Sequence, residues 1–275
     1  MRLAGLQKLT LLDFPGEVAC TVFTLGCNLR CPFCHNPELV LPQLYVGSAN
    51  DAGSVDDAGS ANDSGNDSAP GSGGDSDSGL LPEETFFDFL KRRRGRLSGV
   101  AVTGGEPTLH ADLPDFLRRI RGMGFQVKLD TNGLNPDMLR TVLDASLADY
   151  VAMDVKNSPE KYALTCGYAE DMSSRLWERA EKSIALLKES PVRCEFRTTV
   201  ALGLHTDEDI RKMAAQLAGT RPWYLQQFAE GVEGGVLTGA FTRPDLALAS
   251  PSFADLERMK ALAKAQVPNV SVRGV

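Results

Sequence analysis

The chain has 275 residues, of which 43% are hydrophobic and 24% charged, and its formal net charge is −7. This length and composition suit one large globular α/β domain, so we expect a single domain over residues 1–275. No run of about 18 apolar residues is present, which argues against a membrane span. Asp13 and Pro15 interrupt the region where a secretory signal needs its apolar core, which favours a cytoplasmic protein.

The negative charge is concentrated in one low-complexity segment, residues 47–79. This segment contains seven Asp and no Lys or Arg, and the rest of the chain carries 29 acidic and 29 basic residues. Gly, Ser, Ala, Asn and Asp dominate it, so it cannot bury enough apolar surface to offset its ordering entropy. We therefore predict a disordered insertion. The near-neutral remainder gives no reason to expect a nucleic-acid-binding surface.

Outside that segment, short apolar runs rich in β-branched or aromatic residues alternate with helical patterns. The runs predict seven strands: Val18–Thr24, Gly99–Thr103, Gln126–Asp130, Tyr150–Val155, Val192–Val200, Trp223–Phe228 and Val270–Val272. The helical patterns predict six helices, the first opened by Pro82-Glu83-Glu84 and the others at Asp112–Arg121, Pro136–Ala145, Ser173–Lys188, Thr206–Leu217 and Phe253–Ala265.

This alternation indicates βαβ units and a parallel sheet. We therefore predict the α/β class, with an incomplete (β/α)6 TIM-like barrel as the architecture. In such a barrel the active site lies at the carboxyl ends of the strands. A doubly wound open sheet is the alternative, because periodicity does not reveal whether a sheet closes.

Three of the six cysteines follow the first predicted strand in the spacing C-x-x-x-C-x-x-C, at Cys27, Cys31 and Cys34. Four chemistries fit this text: haem attachment at C-x-x-C-H, a redox pair, a closed zinc site with His35, and a three-ligand [4Fe–4S] cluster. Haem attachment needs export, a redox pair leaves Cys27 unexplained, and structural zinc usually takes two separated pairs. The spacing therefore favours the cluster, with its fourth iron open to an exogenous ligand.

The remaining cysteines and a late histidine carry no comparable spacing. Cys20 and Cys194 fall in predicted strands, where small core residues are expected. Cys166 has no partner spacing either, and His205 is expected to be a surface loop residue.

Polar motifs follow the next predicted strands. In Thr103-Gly104-Gly105-Glu106-Pro107, two glycines allow close backbone approach to a ligand and the acid can accept from an ammonium group. Asp130 and Asp154 end successive strands, so their carboxylates are expected at the same rim. The planar guanidinium of Arg197 suits a carboxylate. An ordinary turn, a surface ion pair and an Arg197–Glu195 salt bridge are the plain alternatives.

These motifs together resemble the radical S-adenosylmethionine (radical SAM) superfamily. The resemblance is carried by the cysteine motif, by G-G-E-P at residues 104–107, by D-T-N-G at 130–133 and by D-x-K at 154–156. It implies a [4Fe–4S] cluster held by Cys27, Cys31 and Cys34, S-adenosylmethionine on its open iron and, in some members, a monovalent cation beside the two acids. It further implies these cofactor-binding residues: Phe33, Gly104, Gly105, Glu106, Pro107, Asp130, Thr131, Asp154, Lys156 and Arg197.

One branch of that superfamily is similar at two further places. Residues 5–16, GLQKLTLLDFPG, and residues 34–39, CHNPEL, resemble the anaerobic ribonucleoside-triphosphate reductase activating proteins, within the glycyl-radical enzyme activating enzymes. The resemblance implies reductive cleavage of S-adenosylmethionine to a 5′-deoxyadenosyl radical, which installs a glycyl radical in a partner enzyme. Flavodoxin or ferredoxin would be the reductant. A radical SAM enzyme for a small molecule and a non-catalytic metal-bearing sensor remain open.

Overall fold

The computed structural model describes residues 1–41, 79–219, 221–229 and 245–274. The predicted disordered insertion, residues 47–79, lies outside these ranges except for Gly79, so it stays a prediction. Among the helices within these ranges, none combines the length and the apolar character that a membrane crossing requires.

Eight strands form one sheet in chain order, with β1 antiparallel to β2 and all other neighbours parallel. They are β1 Leu3–Thr10, β2 Ala19–Thr24, β3 Gly99–Gly104, β4 Gln126–Thr131, β5 Tyr150–Asp154, β6 Arg193–Val200, β7 Trp223–Gln227 and β8 Val270–Arg273. The seven predicted strands are confirmed, and β1 was not predicted. Its sequence, LAGLQKLT, lacks the strict alternation that would have indicated an edge strand.

Seven helices accompany the sheet: α1 Glu83–Arg93, α2 Leu113–Gly122, α3 Pro136–Asp144, α4 Tyr162–Cys166, α5 Ser173–Glu189, α6 Asp207–Leu217 and α7 Phe253–Ala263. Six of them confirm the predicted helices. The short α4 was not predicted, because five residues are too few to show a helical period. It ends at Gly167, which takes the left-handed conformation (φ 78°) that favours glycine at a helix terminus.

The strand order excludes the doubly wound alternative and supports the incomplete barrel. A doubly wound sheet reverses its strand order at a switch point, whereas β2 to β8 follow one another without reversal. Right-handed crossovers in one direction place the helices on one side of the sheet. Among the described strands β1 and β8 are the two edges, so pairing does not close the barrel.

The two faces of the sheet bury different chemistry because strand side chains alternate. The helix-facing side chains, among them Val22, Val102 and Leu129, belong to the main hydrophobic core. On the inner side, Phe14 from the β1–β2 connection packs with Ala19 and Tyr150 at the amino ends of the strands. We call this amino end the floor and the carboxyl end the rim.

Candidate functional site

The three motif cysteines line a cavity of about 450 Å³ at the rim. The chain leaves β2 at Gly26, and backbone hydrogen bonds from Gly26 N to Leu39 O (2.7 Å) and from Cys27 N to Val40 O (3.1 Å) close the cysteine loop. All six cysteines are free thiols. Their loop therefore presents three unpaired sulfur donors to one cavity.

The two glycines of G-G-E-P let the end of β3 lie against this loop. Gly104 has φ 119°, and a Cβ added to Gly105 would fall against the carbonyl oxygen of Gly26 and 2.9 Å from that of Leu39. Backbone bonds from Gly105 N to Thr24 O (2.9 Å) and from Glu106 N to Gly26 O (2.8 Å) fix the contact. The close approach expected toward a ligand is thus made first toward the cysteine loop.

Glu106 is a buried hydrogen-bond acceptor that joins β3 to β4. Its carboxylate is 1% exposed and accepts from the backbone and hydroxyl of Thr108, from the Thr131 hydroxyl (2.7 Å) and from Asn132 N (2.6 Å). Burial raises the pKa of Glu106 above its ordinary value, although these donors oppose the shift. Four protein donors leave this acid little capacity to accept from a cofactor ammonium group.

The predicted acids and the predicted arginine converge at the rim. Arg197 donates from Nε to Asp154 Oδ1 (2.9 Å) and from Nη1 to Asp130 Oδ2 (3.2 Å). Lys156 Nζ lies 3.1 Å from Asp154 Oδ2. The alternative pairing of Arg197 with Glu195 is wrong, because the guanidinium bridges the two aspartates, and the expected surface ion pair is wrong because this network is largely buried.

Electrostatics in this network hold the acid ionised. Burial opposes the charge on Asp154, but Arg197 and Lys156 outweigh it and keep the pKa of Asp154 well below its ordinary range. Burial likewise opposes the charge on Lys156, while Asp154 and Cys31 raise the pKa of this lysine above its ordinary value. The rim is therefore charged at neutral pH.

The thiols themselves differ. Burial raises the pKa of Cys27 to about 12 and that of Cys34 to about 11. The pKa of Cys31 is lowered, chiefly by a hydrogen bond with Cys166 and against the effect of burial. Cys31 is therefore the thiol that ionises most readily, and metal binding would release protons from the other two.

Comparisons with known proteins agree with this geometry. Residues 21–217 match the family model of the Radical SAM superfamily. The chain belongs to the radical SAM superfamily. The family implies a [4Fe–4S] cluster and S-adenosylmethionine as cofactors. The donor set fits them, because three sulfur donors and a set of carboxylates and cations line the same cavity.

Individual relatives of this radical SAM protein differ in how much of the chain they match. A protein of Methanocaldococcus jannaschii assigned as a glycyl-radical enzyme activating enzyme is 27% identical over 99% of the chain and 95% of its own length. A pyruvate formate-lyase-activating enzyme of Listeria monocytogenes is 28% identical over 58% of the chain and 56% of its own length. A 7-carboxy-7-deazaguanine synthase of Methanopyrus kandleri is 31% identical over 52% of the chain and 51% of its own length.

Solved structures agree on the fold alone. A radical SAM methyltransferase from Sphaerobacter thermophilus has a TM-score of 0.59 at 16% identity, over 95% of this chain and 67% of that one. SuiB of Streptococcus suis has a TM-score of 0.56 at 13% identity and covers 91% of this chain. The match spans only 47% of SuiB, about half of its length.

The closed zinc site, left open by the sequence, gains no support from the side-chain arrangement. The ligands of one zinc ion each lie about 2.1 to 2.3 Å from it and must converge on a point. Within the described residues, no three His, Cys, Asp or Glu side chains are grouped so as to hold a single metal ion. A four-iron cluster takes each thiolate at a separate corner and does not need such convergence.

Several residues at the rim were missed by sequence reasoning. Asn132 lines the cavity, and its amide donates to Asn28 Oδ1 (2.8 Å) on the cysteine loop. Its place within D-T-N-G was the signal that could have identified it. Cys166 contacts Cys31, but it arrives from the unpredicted α4, and sequence spacing gives no hint of this contact.

The prediction that His205 is a surface loop residue is wrong. His205 is 2% exposed, its Nε2 lies 2.8 Å from the Lys156 carbonyl, and its Nδ1 lies 3.2 Å from Ala201 N. The carbonyl can only accept, so Nε2 carries the proton and Nδ1 accepts. Burial lowers the pKa of His205, which favours this neutral form. Its ring packs edge-on against Phe33, with centroids 6.4 Å apart, and so supports the cysteine loop.

Proposed function

We propose that this chain is a glycyl-radical enzyme activating enzyme. It would cleave S-adenosylmethionine reductively at a [4Fe–4S] cluster held by Cys27, Cys31 and Cys34. The 5′-deoxyadenosyl radical would then remove a hydrogen atom from a backbone glycine of a partner enzyme, giving 5′-deoxyadenosine and a glycyl radical. The proposed partner is an anaerobic ribonucleoside-triphosphate reductase, and flavodoxin or ferredoxin is the proposed reductant.

One observation carries this proposal: the three thiols and the charged network border a single cavity. Phe33, Gly104, Gly105, Glu106, Asp130, Thr131, Asp154, Lys156 and Arg197 come from four different strand ends and the cysteine loop, yet all line it. Pro107 is buried directly behind Glu106. A cofactor that touches both the cluster and a polar binding surface needs this arrangement.

The chain's own residues would bind and orient the cofactor. Because Glu106 already accepts four hydrogen bonds, we assign the cofactor ammonium group to the backbone carbonyls of Gly104 and Gly105, which line the cavity. Lys156 and Arg197 are placed to pair with the cofactor carboxylate. When bound and reduced, the cluster supplies the electron that breaks the sulfonium C–S bond. The proposal includes no monovalent cation, because protein cations already surround Asp130 and Asp154.

The extent of similarity supports an activating enzyme. The Methanocaldococcus jannaschii protein matches 99% of this chain, and a benzylsuccinate synthase activating enzyme of Thauera aromatica is 54% identical over 33 residues. A glycine substrate also suits the chemistry, since it has no side chain to block approach. A small-molecule substrate is the second candidate, favoured by the similarity to 7-carboxy-7-deazaguanine synthase, which covers 52% of the chain.

The first test is anaerobic cleavage of S-adenosylmethionine by reconstituted protein with dithionite. We expect 5′-deoxyadenosine and methionine from the wild type and a loss of at least 1,000-fold in Cys31→Ala. Cys20→Ala is the matched control, because Cys20 is equally buried in β2 but belongs to the helix-facing core. Equal activity in both variants would contradict the assigned ligand.

The second test addresses the partner. A co-encoded glycyl-radical enzyme with deuterated glycine should transfer deuterium to 5′-deoxyadenosine and show a glycyl radical in its EPR spectrum. Cleavage without deuterium transfer to any such partner, but with turnover of a small purine-like substrate, would favour the second candidate. Cluster assembly without cleavage would support the sensor instead.

A further inference from the structure

Lys128 is a buried cation that the mechanism above does not use. It is the third residue of β4, its side chain is 2% exposed, and it forms an ion pair with Asp130 on the same face of the strand. Lysine is almost never fully buried unless it is paired. A lysine inside the sheet, directed at a rim carboxylate, therefore needs an explanation.

The explanation lies in the charges around the Asp130–Asp154 pair. Asp130 Oδ1 accepts from Lys128 and Asp130 Oδ2 from Arg197. Asp154 Oδ1 accepts from Arg197 and Asp154 Oδ2 from Lys156. Each of the four carboxylate oxygens thus has its own cationic N–H donor, and three protein cations surround two anions.

A bound Na⁺ or K⁺ does not fit this arrangement. Such an ion needs carboxylate or carbonyl oxygens as ligands, and here the carboxylate oxygens already accept from ammonium or guanidinium groups. It would also lie beside three positive charges in a poorly solvated site, where like charges repel strongly. The monovalent cation that the family resemblance implies for some members has no place between these two acids.

We propose that Lys128, together with Arg197, takes the place of a bound monovalent cation, so that this chain binds S-adenosylmethionine without Na⁺ or K⁺. The inference rests on the cofactor site of the proposed function and is independent of the partner enzyme. Lys128 neutralises Asp130 from inside the sheet, which leaves Lys156 and Arg197 at the cavity to meet an anionic group. It acts as a positioning residue and does not touch the cofactor.

The test compares cofactor affinity in buffers that differ only in their cation. Reconstituted protein is titrated with S-adenosylmethionine in choline, sodium or potassium chloride at equal ionic strength, and binding is followed by the cluster EPR spectrum. For the wild type we expect Kd values within about two-fold of one another. Lys128→Ala opens space at this position, so we expect its Kd to weaken at least ten-fold in choline and to recover in K⁺ or ammonium.

Two control variants separate charge from packing. Lys128→Met fills most of the same volume without a charge, so we expect weak binding that no added ion restores. Lys161→Met breaks another ion pair with a buried acid, Lys161–Asp209 (2.7 Å), outside the cavity. It should lower stability without making cofactor affinity depend on the cation.

A readout without cofactor keeps the outcome clear. The thermal unfolding midpoint of the reconstituted wild type should be the same in choline and potassium chloride, whereas that of Lys128→Ala should rise in K⁺. A wild-type Kd at least ten-fold weaker in choline, or a K⁺-specific rise of its midpoint, would overturn the proposal even if Lys128→Ala fails to fold. The thermal measurement also decides the question for protein that binds no cofactor, so failure of the proposed function would be seen separately.

Discussion

The floor and the rim of the sheet interior both bury charged side chains, but they balance the charge differently. At the floor, Glu195 is 1% exposed and accepts from Tyr150 (2.6 Å) and from both terminal nitrogens of Arg273 (3.0 and 3.2 Å). One anion meets one cation there. At the rim, Asp130 and Asp154 meet three cations beside an open cavity.

This difference separates a structural network from a binding site. A buried charge is tolerated when it is paired and hydrogen-bonded, and the floor meets that requirement with its own residues. The rim has one more cation than the acids require, so an anionic group in the cavity would complete its balance. Burial alone does not identify a functional charge, whereas an unmatched charge at the edge of a cavity does.

The largest expected effect comes from neutralising one arginine at each end. Arg197→Met should weaken S-adenosylmethionine binding about 100-fold, equivalent to about 2.7 kcal/mol, because it removes the bridge between Asp130 and Asp154. Arg273→Met should lower the free energy of unfolding by about 2 kcal/mol, since it leaves Glu195 buried without its cation. Isothermal titration and urea unfolding measure the two quantities.

The control for this pair lies in the crossed measurements. Arg273→Met should retain cofactor affinity within about three-fold, because Glu195 and Arg273 do not line the cavity. If Arg273→Met weakened the cofactor as much as Arg197→Met, the distinction between floor and rim would be wrong.

The second pair compares glycines at the two ends. Gly105→Ala places a Cβ against backbone carbonyls of the cysteine loop, which cannot move away separately, so we expect a loss of about 3 kcal/mol or more. Gly99→Ala at the floor places a Cβ 2.8 Å from the Phe14 ring, which can shift, so we expect about half that cost. Urea unfolding of cluster-free protein gives both values, and an equal cost would show that the floor is as rigid as the rim.

Most of the fold could be predicted from sequence, whereas the contacts inside the sheet could not. The apolar face of each strand has a period that the sequence displays, and all seven predicted strands are present. The partners of Lys128 and Glu106 lie on neighbouring strands or loops, and their identity depends on register. His205 illustrates the same limit, because its burial depends on the 3D packing of Phe33 and Lys156, which no local pattern encodes.

The third prediction concerns acid sensitivity at the rim. The folded-state pKa of Asp154 lies below its ordinary value, so the stability it contributes is present above about pH 4 and is lost as pH falls further. The free energy of unfolding of cluster-free wild type should therefore fall between pH 5 and pH 3 by roughly 1 kcal/mol more than that of Asp154→Asn. Parallel pH profiles would show that Asp154 is not held ionised by Arg197 and Lys156.

The smallest expected effect compares one buried hydroxyl at each end. Tyr150→Phe removes the donor to Glu195, and Thr131→Val removes the donor to Glu106 (2.7 Å). Each should cost about 1 to 2 kcal/mol of unfolding free energy, the cost of a lost hydrogen bond to a charged group. Only Thr131→Val should also weaken cofactor binding, by about five-fold, because Thr131 and Glu106 both line the cavity and tie β4 to the end of β3. If both variants kept full affinity, Glu106 would hold the rim together without shaping the cofactor site, and the function of the rim would depend on its ion pairs alone.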